Sequence, residues 1–552
     1  MPRRAERFVC LCVLCVLCVP SFVTPTHDVV VIGAGHNGLI AATLLAKAGR
    51  KVLVLERSDT AGGCAGTGEI APGFRCPTLS HWASLDPRIV RDLELVRRGL
   101  QIIRPEADAC APVLDGRALV LWHDVERACR EIATYSAKDA QRYPQFLESF
   151  ARISAVLRAV CASTPPSIDT PAAADVMELL RTGRAFRSLG KSDAYRLLRW
   201  MPMAVADLAG EWFDSEPLRA TIAAGGILGS FLGPWSAGSA AVLLLLGSGE
   251  GHPIASGWFV RGGPGALAAA LVAAAREAGV EVRTDADVVT ICVEDHRAAG
   301  VMLAGGQEIK ARAVVSAIDA KQTLLGLVDP MYLAPDFVRR VQNIRAHGTL
   351  AKTNYAVTAP PKFASFAALD GPQQLAAMSG RIRLARDIDG IERAFDAAKY
   401  GGFADEPWIE LAIPSISDPS LAPPGQHVVS AYVQYAPYHL RGTDWRTERD
   451  RLAEAATRTI ERYAPGFTAS IVAQQTITPL DLERTYGLTG GHIFHGELAL
   501  DQLFIARPVL GWARYNTPID NLYLCGSATH PGTGLNGLSG WLAAKEIARR
   551  LR

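Results

Sequence analysis

Gly33-Ala34-Gly35-His36-Asn37-Gly38 sets three glycines in the order G-x-G-x-x-G directly after the apolar run 29–32. Each glycine has its own task. The first allows a tight turn out of a strand. The second lets the backbone approach a pyrophosphate. The third lets the following helix pack closely on the strand. A helix predicted over 37–48 points its N-terminal amides at that phosphate, and Gly49 ends it. A second apolar strand, 51–55, leads into Glu56. An acid about 20 residues past the turn is placed to bind ribose hydroxyls. Strand, turn, helix, strand and acid together describe a dinucleotide site.

The residues that follow bear on which dinucleotide. Arg57 adjoins the acid, and the pair Gly62-Gly63 comes soon after. A second glycine turn at that place is similar to flavoproteins. Cys64 comes next, as in disulfide reductases, but its next neighbour in sequence is Cys76. Those enzymes need C-x-x-x-x-C, so this is no redox dithiol. "RGGPGAL" at 261–267 does not repeat the nucleotide pattern, and a second, nicotinamide-binding turn is not found.

Further pieces of the same domain lie far along the chain. A helix is predicted over 266–278, with strands at 280–283, 288–291 and 311–319. Near the end, a strand at 522–525 runs into Gly526-Ser527. A loop carrying Pro531, Gly532, Gly534 and Leu535 then enters a helix over 538–551. That helix can direct its positive end at negative charge on a reduced flavin. Cys525 reads as a packed strand thiol and not as a covalent attachment point.

Between these pieces, "GGHIFHGE" (490–497) is the most distinctive stretch. His492, His495 and Glu497 have the look of metal ligands, but the glycines break any helix that would align them. It reads as a cleft loop without metal. His495 and Glu483 are the substrate-side candidates. Trp512, Tyr515 and Tyr523 are aromatic candidates, should an amine oxidase need a pair of rings against the flavin. Ser527 and His530 are close in sequence, but a loop beside phosphate accounts for both, and no hydrolytic triad is read.

The elements carrying these residues need a large frame. The chain has 552 residues, about half of them apolar, and a net charge of +2. That length implies more than one domain. Balanced charge without a dense basic run argues against nucleic acid as a partner. The 11 cysteines show no disulfide framework and no zinc spacing, and reduced thiols fit an intracellular compartment. Residues 1–26 hold Arg3, Arg4 and Arg7 and an apolar run over 8–19. The run is too short to span a bilayer, so the segment reads as a signal peptide, a presequence or a mispredicted start. The apolar, glycine-rich stretch 226–258 reads as core, as a substrate tunnel or as a membrane contact.

"YAPGF" (463–467), "TPLDLERTYGLTGGHIFHGELALDQLF" (478–504), "RP" (507–508) and "LYLCGSATHPG" (522–532) make the resemblance specific. The sequence resembles the phytoene desaturase and carotenoid isomerase-like FAD-dependent oxidoreductases. Within them it is similar to a branch labelled for a pyridine nucleotide-disulfide oxidoreductase domain, a label that the missing second cysteine contradicts. Thr533, where many relatives have glycine, and Trp541 depart from the pattern.

The resemblance implies an α/β fold with a Rossmann-like FAD-binding domain of the p-hydroxybenzoate-hydroxylase and glutathione-reductase type. That domain would be assembled from 27–95, 255–330 and 505–552, beside an α+β substrate domain from 96–254 and 331–504. It implies non-covalent FAD held by Gly33, Gly35, Gly38, Glu56, Arg57, Gly62, Gly63, Val288, Gly526, Ser527, Gly534 and Leu535. It implies hydride transfer to flavin from a small apolar substrate, isoprenoid or lipid-like, with an electron acceptor the sequence does not name. Amine oxidation, redox-neutral isomerisation and a regulatory flavoprotein are the alternatives. The expected location is the cytoplasm or a membrane surface, or the mitochondrial matrix in a eukaryote, with peripheral membrane contact.

Overall fold

The computed structural model describes residues 26–167, 171–254, 257–385 and 387–551. The apolar run 8–19, and with it every reading of the leader, lies outside them.

Val29, Val30 and Val31 have no exposed surface. An unbroken run of β-branched residues suits a strand covered on both faces. His27–Ile32 accordingly sits inside a seven-stranded sheet. It pairs in parallel with Val52–Leu55 and with Glu308–Ser316, placing Val31 opposite Val54 and Val315. Glu281–Arg283 extends the sheet past Val52–Leu55, and Leu522–Leu524 lies parallel to the end of Glu308–Ser316. Val288–Glu294 and Arg297–Leu303 add an antiparallel edge. One sheet therefore draws on three stretches of chain that are remote in sequence.

Helix His36–Lys47 packs against this sheet between Pro264–Glu277 and Leu538–Arg550. The contacts are close because glycines make them. A Cβ on Gly38 would lie 2.2 Å from the Gly33 carbonyl oxygen, and one on Gly540 would lie 2.2 Å from that of Asn37. In that space the Gly540 N–H donates to Asn37 Oδ1 at 3.1 Å.

The second sheet also has seven strands. Its order is Ile471–Ile477, Leu350–Val357, His427–Gln434, Trp408–Ala412, Arg381–Leu384, Ala107–Pro112 and Ala118–Trp122. All neighbours are antiparallel except Arg381–Leu384 with Ala107–Pro112. A helical layer built on the long helix Ala137–Cys161 covers one end.

Ile227, Ala240, Leu243, Leu244 and Ile254 of the stretch 226–258 belong to that layer's interior, while Trp258 packs in the core of the first sheet. Ser239–Gly247 is apolar all round, and Val242 and Leu244 are wholly buried. Small residues let it pack tightly: a Cβ on Gly226 would lie 2.7 Å from the Ser239 carbonyl oxygen. Trp235 is its exposed large apolar side chain. Among the described residues no helix is long and apolar enough to cross a membrane.

Candidate functional site

The parallel strands of the first sheet end around a cavity of about 520 Å³. Ile32, Leu55, Ala317 and Ser527, each at or just past a strand end, form one wall. Open α/β sheets bind ligands at this place. The opposite wall comes from the end of helix Pro479–Tyr486 with Gly487 and Leu488, and from Ile493, Phe494 and His495.

The glycine turn forms one end of the cavity. Gly33 has φ +94, which a side chain resists. Gly35 behaves differently, since a Cβ added there meets nothing within 4 Å and faces the open space. Glu56 holds the turn from below. Its Oε2 accepts the Ala34 N–H at 2.8 Å, and its Oε1 accepts the Ser58 N–H at 3.0 Å. The Gly62 N–H donates to the Ala34 carbonyl, and Gly63 lies so close that a Cβ would sit 3.3 Å from Gly35 Cα. The second glycine pair is thus stacked on the first turn.

Every cofactor residue expected from the sequence lines this cavity except Gly526. Gly526 lies behind the wall, where a Cβ would meet the Ala317 carbonyl oxygen at 2.4 Å. Its neighbour Ser527 accepts from Asn37 Nδ2 at 3.1 Å. Thr533 and Trp541, the departures from the pattern, are both engaged. Thr533 accepts from Asn536 Nδ2, and the Trp541 ring nitrogen donates to Asp92 Oδ2 at 3.3 Å.

Of the substrate-side candidates, His495 lines the cavity and Glu483 does not. Glu483 accepts the Gly490 N–H at 2.8 Å and the Tyr438 hydroxyl. It anchors the loop that carries His495. His492 turns away: its Nδ1 accepts the Phe494 N–H at 3.2 Å. Glu497 pairs with Arg345 and His347 at 3.0 and 2.7 Å. The aromatic residues on the wall are Tyr486 and Phe494, while Trp512, Tyr515 and Tyr523 sit elsewhere. Cys525 is fully buried outside the cavity. Cys64 does line it, and burial pushes its thiol up to about 12. Neither Cys64 nor Cys76 is in a disulfide.

His36 and His495 both face the cavity. Burial, reinforced by their mutual repulsion, holds His36 down to about 4. Burial and the nearby Arg507 do the same for His495. Both imidazoles are neutral at pH 7. The Nε2 of His36 is buried with no hydrogen-bond partner. An unpaired buried polar atom beside an open turn, with a carboxylate at the next strand end, fits a polar dinucleotide.

Residues 38–548 match the family described as flavin containing amine oxidoreductase. The chain belongs to this family. It is an enzyme, an oxidoreductase that works with flavin. Pyridine nucleotide-disulfide oxidoreductase domain-containing protein 2 of Rattus norvegicus is 37% identical over 549 residues, 96% of this chain and 94% of that one. One subunit of the limonene dehydrogenase of Castellaniella defragrans is 27% identical, over 95% and 94% of the two chains. Among solved structures, putrescine oxidase superposes with a TM-score of 0.60 at 16% identity, covering 95% of this chain and 98% of the other. The fold is therefore that of the flavin-dependent amine oxidases, a Rossmann-like flavin-binding part joined to a substrate part.

Gln322, Arg507 and His36 are given no site role by their sequence context, and Arg57 has a second role beside the one expected of it. Arg57 donates to the Thr485 carbonyl at 2.6 Å, and Gln322 Nε2 to that of Gly487 at 2.8 Å. These bonds strap the opposite wall to the first sheet. Arg507 is buried and donates to the carbonyls of Phe494 at 2.6 Å and Ser527 at 2.9 Å, joining the His495 loop to the C-terminal motif. His36 stands at a free position of the glycine pattern, which prescribes nothing there.

Proposed function

We propose that the chain binds FAD non-covalently in this cavity and takes a hydride from an apolar, hydrocarbon-like substrate. Gly35 would leave room for the pyrophosphate, Glu56 would meet the ribose, and the backbone at Val288 would meet the adenine. His36 Nε2 would find its partner on the cofactor. FAD supplies a two-electron acceptor; the protein orients the substrate and excludes water. Among thiols, Cys64 is protonated at neutral pH, which supports non-covalent binding.

The observation that carries the substrate class is the character of the wall. Leu79, Leu488, Ile493, Phe494 and Leu327 line it, and its carboxylates, Glu56 and Asp287, lie beside the nucleotide turn and Val288. An ammonium group has no anion to meet at the other end. The names of two relatives, the limonene dehydrogenase and phytoene desaturase (lycopene-forming) of Pantoea ananas, point to hydrocarbons as well. The division into 27–95, 255–330 and 505–552 against 96–254 and 331–504 is supported by the membership of the two sheets.

The test is an absorbance spectrum of the purified chain, then release of the chromophore by denaturation. Free FAD in the supernatant is the expected result. The holoprotein is next mixed without oxygen with limonene, phytoene, putrescine and cyclohexylamine. Bleaching of the flavin band by a hydrocarbon supports the reading. No flavin after reconstitution, or bleaching by the amines alone, overturns it.

A further inference from the structure

Helices Ala173–Ser188 and Gly190–Trp200 pack on the long helix Ala137–Cys161, and the flavin site does not use their outer side. These helices expose several large apolar side chains. Leu179, Leu180, Tyr195 and Leu198 are 53%, 56%, 62% and 62% exposed, with Val176 and Met177 beside them. Arg184, Arg187 and Lys191 are exposed on the same two helices, and among the described residues none has a carboxylate partner. The acids of these helices are engaged: Asp175 with Arg514 at 2.8 Å, Asp193 with Arg152 and Arg196, and Glu178 with Ser163 and Arg181.

Large exposed apolar residues gathered in one place mark an interaction site. Helices that add unpaired Lys and Arg to such a face have the composition of segments that lie in a lipid headgroup region. We propose that this two-helix face docks on an anionic lipid bilayer, its leucines and Tyr195 entering the interface and Arg184, Arg187 and Lys191 meeting the headgroups. A second copy of the chain is the poorer occupant. A two-fold interface would set the same unpaired cations against their own copies.

The face also connects to the cavity. Cys161, the last residue of the helix that carries it, packs in one apolar cluster with Val242, Leu245 and Phe494, with Ile493 against them. Ile493 and Phe494 are cavity wall. The docking stands without the substrate reading. Together, the two place an apolar substrate's source on the side where this cluster ends.

The test uses the full chain, so that any contribution from 8–19 is common to all samples. Co-sedimentation is measured with phosphatidylcholine vesicles and with vesicles that also contain phosphatidylserine, at low and high salt. The wild type is expected to partition onto the anionic vesicles and to be released by salt. The double variants Arg184→Glu/Arg187→Glu and Leu180→Gln/Leu198→Gln are each expected to lower partitioning about tenfold or more at unchanged melting temperature. Wild type that stays in solution overturns the proposal. So does equal binding by the variants, which assigns binding to another segment. A wild-type dimer that the variants dissolve overturns it too, because a second copy then covers the face.

Discussion

Arg57 reaches the Thr485 carbonyl at 2.6 Å, so the residue after Glu56 is bonded to the opposite wall of the cavity. Gln322 makes a second strap two residues further on, at Gly487. A cofactor between these walls leaves when they part. Arg57→Ala removes one neutral acceptor's bond to a charged donor, worth about 1.5–3 kcal/mol in full and less at an exposed site. The dissociation rate of bound flavin, followed by its fluorescence after dilution, should rise several-fold with little change in melting temperature. An unchanged rate would show that the strap does not bear on the cofactor.

The two glycines of the turn should fail in different ways. Gly35→Val projects into open space and should leave the chain soluble and folded while flavin content drops at least tenfold. Gly38→Ala meets the Gly33 carbonyl at 2.2 Å and should destabilise the fold itself, by about 1–3 kcal/mol or more. Circular dichroism melts and flavin absorbance on the same samples separate the two. A yellow Gly35→Val protein would remove the nucleotide assignment.

Glu56→Ala strips the acceptors from two backbone donors, and on the proposed reading from the ribose as well. Its cost is about 1–3 kcal/mol, and it should appear in both the melt of the cofactor-free protein and the affinity for FAD. An affinity loss alone would mean that the Ala34 and Ser58 bonds contribute nothing to the turn.

Acid should destabilise this protein early. Burial holds His36, His495 and His530 down to about 4, and His81 and His492 to about 3. In the unfolded chain they titrate near 6.5. Between those values the unfolded state takes up protons that the folded state refuses. Stability is therefore complete above pH 6.5 and falls as pH drops toward 4, by up to about 1.4 kcal/mol per pH unit for each histidine. Asp319, held above the usual carboxylate range by burial, and His347, raised by its hydrogen bond to Glu497, work the other way, but they are two groups against five histidines. Melting temperatures from pH 7.5 down to 4.5 test this. A flat profile would mean these rings are protonated or solvated in the fold.

Glu483 and His495 now part company. Glu483→Gln weakens the anchoring of Gly490 and should lower the melting temperature by a few degrees. His495→Gln should leave it nearly unchanged and alter the absorbance envelope of bound flavin and the rate of its reduction by substrate.

What could be read from the sequence follows from how each feature is encoded. The glycine turn, Glu56 and the strands beside them were legible because steric and hydrogen-bonding demands there admit few residue types at fixed spacing. The helix predicted over 538–551 is Leu538–Arg550 for the same reason. Arg507 was opaque. Its partners are carbonyls, which every residue has, and only the fold says whose. The stretch 226–258 was ambiguous because an interior helix and a membrane contact share a composition. The exposed leucines of 173–200 were not legible, since sequence alone does not say which side of a helix faces out.

The first sheet places its early strands beside ones made late. His27–Ile32 leaves the ribosome near the start of synthesis, but its neighbour Glu308–Ser316 follows after half the chain, and Leu522–Leu524 almost at the end. At about 5–20 residues per second, the wait for Glu308–Ser316 is roughly a quarter of a minute to a minute. Through that time the apolar run Val29–Ile32 stands with an open edge, the form most prone to pair with the wrong chain. Production of this enzyme should accordingly depend on chaperones and on slow growth, and a stop codon anywhere before the last helix should yield an insoluble, colourless product and not a weak enzyme.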